Sequence, residues 1–251
     1  MRLTRLDALR GLAMVWMTLF HLCFDLNQFG WISQDFYRDP LWTSQRTAIV
    51  SLFLLCAGAA QAAAIAQRQS TKRFARRWLQ IAGCAGLVSM GSWWMFPGSW
   101  IYFGVLHGMA VMLLILRWAA LRWPGDDRQW WLAGAVAIAL AWAGPGLIAA
   151  HPALSVFNQS GLNWIGLISQ KPVTEDHVPV LPWLGLMIWG HVGMRHLLRH
   201  HLAWLESPLP RTLHRPLQLL AGLGGWSLTY YMLHQPVMIA ALITVGWLMG
   251  S

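Results

Sequence analysis

Seven apolar stretches of about 20 residues, separated by short polar or basic segments, run along this chain. About 20 residues of α-helix span the ~30 Å hydrocarbon core of a bilayer. The stretches begin near Leu9, Arg46, Trp78, Ile101, Trp130, Pro182 and Gly225. They predict an all-α, polytopic membrane protein of about seven transmembrane helices. The first helix is expected from Asp7 to Asn27. Its apolar run is long and no small-residue cleavage site follows, so it reads as a retained helix rather than a signal peptide. A loop of about 18 residues, rich in aromatics and turn formers (Gly30, Trp31, Asp35, Tyr37, Asp39, Pro40), leads to the second helix. That helix closes in the alanine-rich run from Ala57 to Ala66, where small side chains permit close backbone approach.

Further on, Trp93, Trp94, Phe96 and Trp100 surround Pro97-Gly98 and read as an interfacial aromatic belt. The third basic loop holds Pro124, Asp126 and Asp127. The stretch from His151 to Leu181 is the longest connection on the opposite side. It carries Asn158, Asn163, Lys171, Glu175, Asp176 and His177, which mark it as a lid or acceptor-binding element. Its fragment Leu162 to Ile168 is expected at the interface, and the chain re-enters the membrane at Pro182-Trp183. Gly222, Gly224 and Gly225 mark a break before the final span, with room for an extra interfacial helix between Arg215 and Gly225.

Composition supports the same class. Of 251 residues, 57% are hydrophobic and only 11% charged, against roughly 25% charged in soluble domains. The net charge of +9 invites a nucleic-acid reading, but the cations sit at segment ends and topology explains them better. With the N-terminus in the cytoplasm, fifteen of the 18 Lys and Arg fall on the cytoplasmic side. These run from Arg2, Arg5 and Arg10 through Arg68, Lys72, Arg73, Arg76 and Arg77 to Arg117, Arg122, Arg128, Arg195, Arg199, Arg211 and Arg215. Arg38, Arg46 and Lys171 face the other way, and Ser251 then lies outside. The expectation is a single multi-pass membrane domain over 1–251, with lipids as neighbours and no nucleic-acid partner. Cys23, Cys56 and Cys84 lie in apolar segments as structural thiols, and their spacing supports no metal site.

The chemistry concentrates at a few polar positions within apolar helices. Arg10 and His21 are eleven residues apart, which puts them on one helix face about 16 Å apart along the axis. Arg10 then lies near the headgroups and His21 near mid-bilayer, where an ionisable residue is a functional-site hypothesis by default. Asp25, one turn on, is placed to hold the imidazole tautomer or stabilise an imidazolium. Such a histidine can take a proton from an amine or hydroxyl attacking an acyl carbonyl; the plainer alternative is an interhelical hydrogen bond. Asp7 reads as a helix-start or Arg10 partner. Lys72, Arg73, Arg76 and Arg77 form a dense cationic cluster suited to phosphate oxygens, although positive-inside topology and lipid headgroups explain such clusters too. His107 and His234 are two further intramembrane histidines. Tyr230 precedes His234 by one turn, and a polar cavity shared with His21 is the joint reading.

These motifs resemble the transmembrane acyltransferase superfamily. The run Arg5-Leu6-Asp7-Ala8-Leu9-Arg10-Gly11-Leu12-Ala13 with Phe20-His21 is similar to its opening helix. Lys72-Arg73-Phe74-Ala75-Arg76-Arg77 is similar to its arginine pair, and Ser227 to Pro236 to its closing helix. Within the superfamily the chain most resembles bacterial relatives of heparan-alpha-glucosaminide N-acetyltransferase, through Phe103-Gly104-Val105-Leu106-His107-Gly108 and Asp176-His177-Val178-Pro179-Val180-Leu181-Pro182-Trp183-Leu184-Gly185. The resemblance covers nearly the whole chain.

It implies transfer of an acetyl group from cytosolic acetyl-CoA to an amino-sugar or glycan acceptor on the periplasmic side. Residue by residue it matches Arg10 and His21 to the superfamily's arginine–histidine pair, the histidine catalytic, and Arg73 and Arg76 to its donor-side arginines. By position, Asp25 joins the catalytic set, Lys72 and Arg77 join the donor set, and His107, Asp176, His177, Tyr230 and His234 are the acceptor or cavity residues. A homodimer is implied as well. The chain departs from the family here: the family's proposed active histidine lies in a loop after the first helix, whereas the loop from Gly30 to Gln45 contains no histidine and His21 lies within the helix. Direct attack on the thioester and passage through an acetylated histidine both remain open. Alternative readings are a hydroxyl or lipid-linked acceptor, a non-enzymatic transporter, and a haem protein using His21, His107, His191 and His234. The absence of any internal repeat weakens the transporter.

Overall fold

The computed structural model describes residues 3–123, 125–207 and 211–249, so Arg2, Pro124 and Ser251 lie outside the described residues. The described chain forms α1 (Thr4–Gln28), α2 (Pro40–Ala66), α3 (Thr71–Met95), α4 (Val105–Arg122), α5 (Asp127–Ala150), α6 (Val180–His200), α7 (Leu202–Glu206), α8 (His214–Gly225) and α9 (Ser227–Met249). Each of the seven expected segments is a helix: α1 to α6 and α9. Five of these, α1, α2, α4, α5 and α9, are long and apolar enough to cross a membrane. The fold is therefore all-α and polytopic. With 25 and 21 residues, α3 and α6 match them in length. Their composition is more polar because α3 opens on four cations and α6 closes on Arg195, His196, Arg199 and His200.

Two boundaries differ from expectation for local reasons. α2 begins at Pro40, not near Arg46, because a proline suits the first helical turn and Asp39 Oδ1 accepts the Leu41 N–H at 2.8 Å. The preceding loop shortens to residues 29–39. Between Arg215 and Gly225 the chain forms the 12-residue α8, which ends at the expected glycine break. The long loop from His151 holds two 3-10 turns, Pro152–Asn158 and Asn163–Ile165.

The chain divides into two compact units, residues 1–53 with 203–251, and residues 54–202. In the first, α1 packs along α8 and α9. Gly11 and Gly224 make the α1–α8 approach possible, since a Cβ at either would collide with the backbone carbonyl of Leu220 or Asp7. Ala13, Met14, Met17, Phe20, Phe36, Ile49 and Phe53 form the adjoining core. Arg5 holds α7 by donating to the Trp204 carbonyl and to Ser207 Oγ at 3.0 and 2.8 Å. In the second unit, α5 packs on α6, α3 on α4, and α4 on α6. Asp127 at the start of α5 pairs with Arg195 and Arg199 of α6 at 3.1 and 3.2 Å. None of the three cysteines is in a disulfide.

Candidate active site

Helical spacing brings the polar residues of α1 and α9 together. Thr18, His21 and Asp25 lie three and four residues apart on one face of α1; Tyr230 and His234 are one turn apart on α9. The His21 and His234 rings meet with centroids 5.3 Å apart. Tyr230 stacks on His234 at 5.9 Å with an interplanar angle of 8°. Its hydroxyl donates to Thr18 Oγ at 2.6 Å, because Thr18 spends its own proton on the Met14 carbonyl at 2.8 Å. Tyr230 thereby fixes the plane of His234.

The hydrogen bonds also fix a tautomer. His234 Nδ1 lies 2.7 Å from the Tyr231 carbonyl, an acceptor only, so Nδ1 carries the proton and a neutral ring keeps its lone pair on Nε2. His234 Nε2 is buried and has no partner among the described residues, as is true of His21 Nδ1 and Asp25 Oδ2. Gln235 donates to the other Asp25 oxygen at 3.3 Å. Buried polar atoms without partners cost about 1–3 kcal/mol each, and three of them lie in this one α1–α9 contact.

Of the expected catalytic set, His21 and Asp25 sit in this cluster. Asp25 bonds Gln235; His21 has His234 as its neighbouring imidazole. Arg10 is engaged elsewhere on α1, with Asp7 at 3.1 Å and the Gly224 carbonyl at 3.3 Å. Asp7 is thus the Arg10 partner that the spacing indicated. Of the expected cavity residues, Tyr230 and His234 join His21. The Thr18 hydroxyl that anchors Tyr230 was not singled out from sequence, although it lies one turn before His21.

In the second unit, Lys72, Arg73, Arg76 and Arg77 occupy the first two turns of α3. Ser70 caps the helix by accepting the Arg73 N–H at 3.3 Å. Cations at a helix N-terminus run against its macrodipole, a site that favours anions. Lys72, Ala75, Arg76, Leu79 and Gln80 line an open groove of about 550 Å³, while Arg77 donates to Gln80 Oε1 at 3.2 Å. The turn before α3 is held by Arg117 of α4, 7% exposed. It donates to the Gln69 carbonyl and Oε1 at 3.0 and 3.2 Å and lies 4.3 Å from the Phe74 ring centroid. Charge counting assigned Arg117 to topology alone; its place within an apolar run was the missed signal.

His107 is fully employed. Its Nδ1 accepts the Gly104 N–H at 3.3 Å, so Nε2 donates to Ser89 Oγ at 3.0 Å, and Ser89 donates to the Ile101 carbonyl at 2.7 Å. That chain ties α3, α4 and their connection together, and it leaves neither nitrogen for an axial metal bond. Asp176 accepts the Val105 N–H at 2.7 Å, capping α4. Gly104 permits this, since a Cβ there would strike the Asp176 carboxylate. His177 pairs by its backbone with Phe103. Burial, and then the Lys171 charge, draw the His177 imidazole down from 6.5 to about 4, so it is neutral at pH 7.

A family model described as heparan-alpha-glucosaminide N-acetyltransferase, catalytic, matches residues 2–236. No curated protein and no solved structure matches. The matched span runs from the opening of α1 to the Gln235-Pro236 pair of α9 and includes every polar cluster described above. With its long apolar helices, the chain is a multi-pass inner-membrane protein. It belongs to the heparan-alpha-glucosaminide N-acetyltransferase catalytic family and is an acetyl-CoA-dependent transmembrane acetyltransferase acting on an amino-sugar or glycan acceptor.

Proposed function

We propose that His21 is the base of the transfer. The acceptor amine attacks the thioester carbonyl carbon, its proton passes to the His21 ring, and the C–S bond breaks. The departing CoA thiolate then takes that proton from the imidazolium. Asp25 and the lone pair of His234 steady the charge on His21, and Tyr230 positions His234. Arg10 positions α1 against α8 through Asp7 and Gly224. The observation that carries this reading is the buried His21–His234–Asp25 group, with three polar atoms free to meet a ligand.

Lys72, Arg73, Arg76 and Arg77 hold the phosphates of the donor, a role supported by the groove beside Lys72 and Arg76. Asp176, His177 and His107 order the acceptor side. The full topology has seven spans, α3 and α6 included, with the N-terminus cytoplasmic and the acceptor periplasmic, as the basic-residue bias favours. A single catalytic domain is supported by a family match that takes in residues of both units. The homodimer rests on the resemblance alone.

His21→Ala tests the base. Transfer should fall by roughly 10²–10⁴-fold while acetyl-CoA binding and melting temperature hold. Wild-type turnover would remove His21 from the chemistry. Mass spectrometry after donor alone separates the routes: an acetyl adduct on His21 that discharges to acceptor marks a two-step path in which His21 is the nucleophile.

A further inference from the structure

The connection between α3 and α4 and the segment before α6 are joined rung by rung. Glu175 donates its N–H to the Ser99 carbonyl at 2.9 Å and Val178 to that of Phe103 at 3.1 Å. Between them Asp176 caps α4. His177 is thereby fixed beside Tyr102, ring centroids 6.3 Å apart. Asn163 donates its amide proton to the Tyr102 phenol oxygen at 2.7 Å.

Two polar atoms in this group have no partner among the described residues, His177 Nε2 and Asn163 Oδ1, and both are buried. Asn163 is only 1% exposed and lies in a 3-10 turn of the long loop. A buried amide with one half paired and the other free is costly. The Asn163 oxygen accepts, the neutral imidazole offers one nitrogen, and the Tyr102 phenol retains a proton to donate. The two carboxylates of the segment are already used, Asp176 by the Val105 N–H and Glu175 by Ser99 Oγ at 2.5 Å. Trp100 lies 5.8 Å from the Tyr102 ring and adds an apolar face. With the Lys171 charge acting on His177, neutral acceptors and a phenol donor beside aromatic rings complement hydroxyl and uncharged amino groups rather than a cation.

We propose that Tyr102, Asn163 and His177 form a recognition subsite for the hydroxyl and neutral amino groups of a sugar acceptor. This rests on the acetyltransferase reading and names the residues that select its acceptor.

The test uses full-length enzyme in detergent, glucosamine as probe, and the variants Tyr102→Phe and Asn163→Leu. Both should raise the KM for glucosamine by tenfold or more, with KM for acetyl-CoA within twofold of wild type. A KM for glucosamine within twofold of wild type in folded Tyr102→Phe overturns the subsite. That variant carries the test if Asn163→Leu fails to fold, since it removes one oxygen only. If wild-type enzyme binds acetyl-CoA yet acetylates no amine, the acetyltransferase reading fails instead. Equilibrium binding of glucosamine then decides the subsite: weakened binding in Tyr102→Phe supports it, and no binding to wild type overturns it.

Discussion

Arg117→Met is the substitution whose cost the structure specifies most fully. Methionine keeps the apolar stem packed in α4 and removes the fork. Two hydrogen bonds from a charged donor to Gln69 are lost, along with the cation over Phe74. Gln69 is partly exposed, so water recovers some of that bonding and the pair is worth about 1–3 kcal/mol. The cation–π contact adds about 0.5–2 kcal/mol.

Those bonds order the turn that delivers Lys72, Arg73 and Arg76, so part of the loss should appear as weakened donor binding. If about 1–2 kcal/mol is transmitted, acetyl-CoA affinity falls roughly 5–30-fold. Arg117→Lys separates the contributions. It keeps a charge near Phe74 and leaves topology unchanged, but an ammonium lacks the planar fork that bridges two oxygens. It should therefore recover less than half of the loss. The assay is equilibrium binding of labelled acetyl-CoA alongside thermal melting in detergent. Binding within twofold of wild type in folded Arg117→Met would refute the reasoning; full recovery by lysine would show that charge alone matters.

Replacing Arg73 or Arg76 with alanine should weaken acetyl-CoA binding about 5–150-fold, the loss of roughly 1–3 kcal/mol from a phosphate-directed fork; unchanged binding in both would assign them to topology or lipid contact. His177 makes stability depend on pH. Its pKa is lowered to about 4 in the fold from an ordinary 6.5, so the unfolded chain binds the proton more readily. The stabilisation is complete above about pH 6.5 and is lost as pH falls towards 4. His177→Gln should flatten the melting-temperature profile across that window, and an unchanged slope would assign the acid sensitivity to other groups.

The helices were legible because periodicity and segment length report burial in lipid directly, and each of the seven segments became a helix. Boundaries were less so: the early start of α2 depended on Asp39 and Pro40, which read equally well as loop residues. At the site, Arg10 with Asp7 followed from helical spacing because it is local. The meeting of His21 with His234 joins residues over two hundred positions apart, and only the polar character of each helix hinted at it. Asp25 illustrates the limit. Its place one turn from His21 was correct, but its hydrogen bond went to Gln235, and no spacing along α1 reveals a partner on α9. Arg117 was hidden by its own explanation: a basic residue near a helix end satisfies the charge rule whether or not it also builds a turn.

What separates the histidines is the use of their nitrogens rather than their depth. His107 and His234 both lie in apolar helices beside aromatic rings. His107 has a backbone N–H on one nitrogen and a serine hydroxyl on the other, so a ligand would have to displace structure to reach it. His234 spends only its Nδ1 proton, on a carbonyl of its own helix, and keeps a lone pair buried beside the ring of His21. A lone pair of this kind and a free carboxylate oxygen crowd acceptors together in surroundings where unpaired acceptors are expensive. A group that brings protons relieves that cost, and an attacking amine does so while needing to lose a proton. The same unmet hydrogen bonds that penalise the resting fold thus favour the nucleophile as it becomes reactive, which is the property a catalytic base must have.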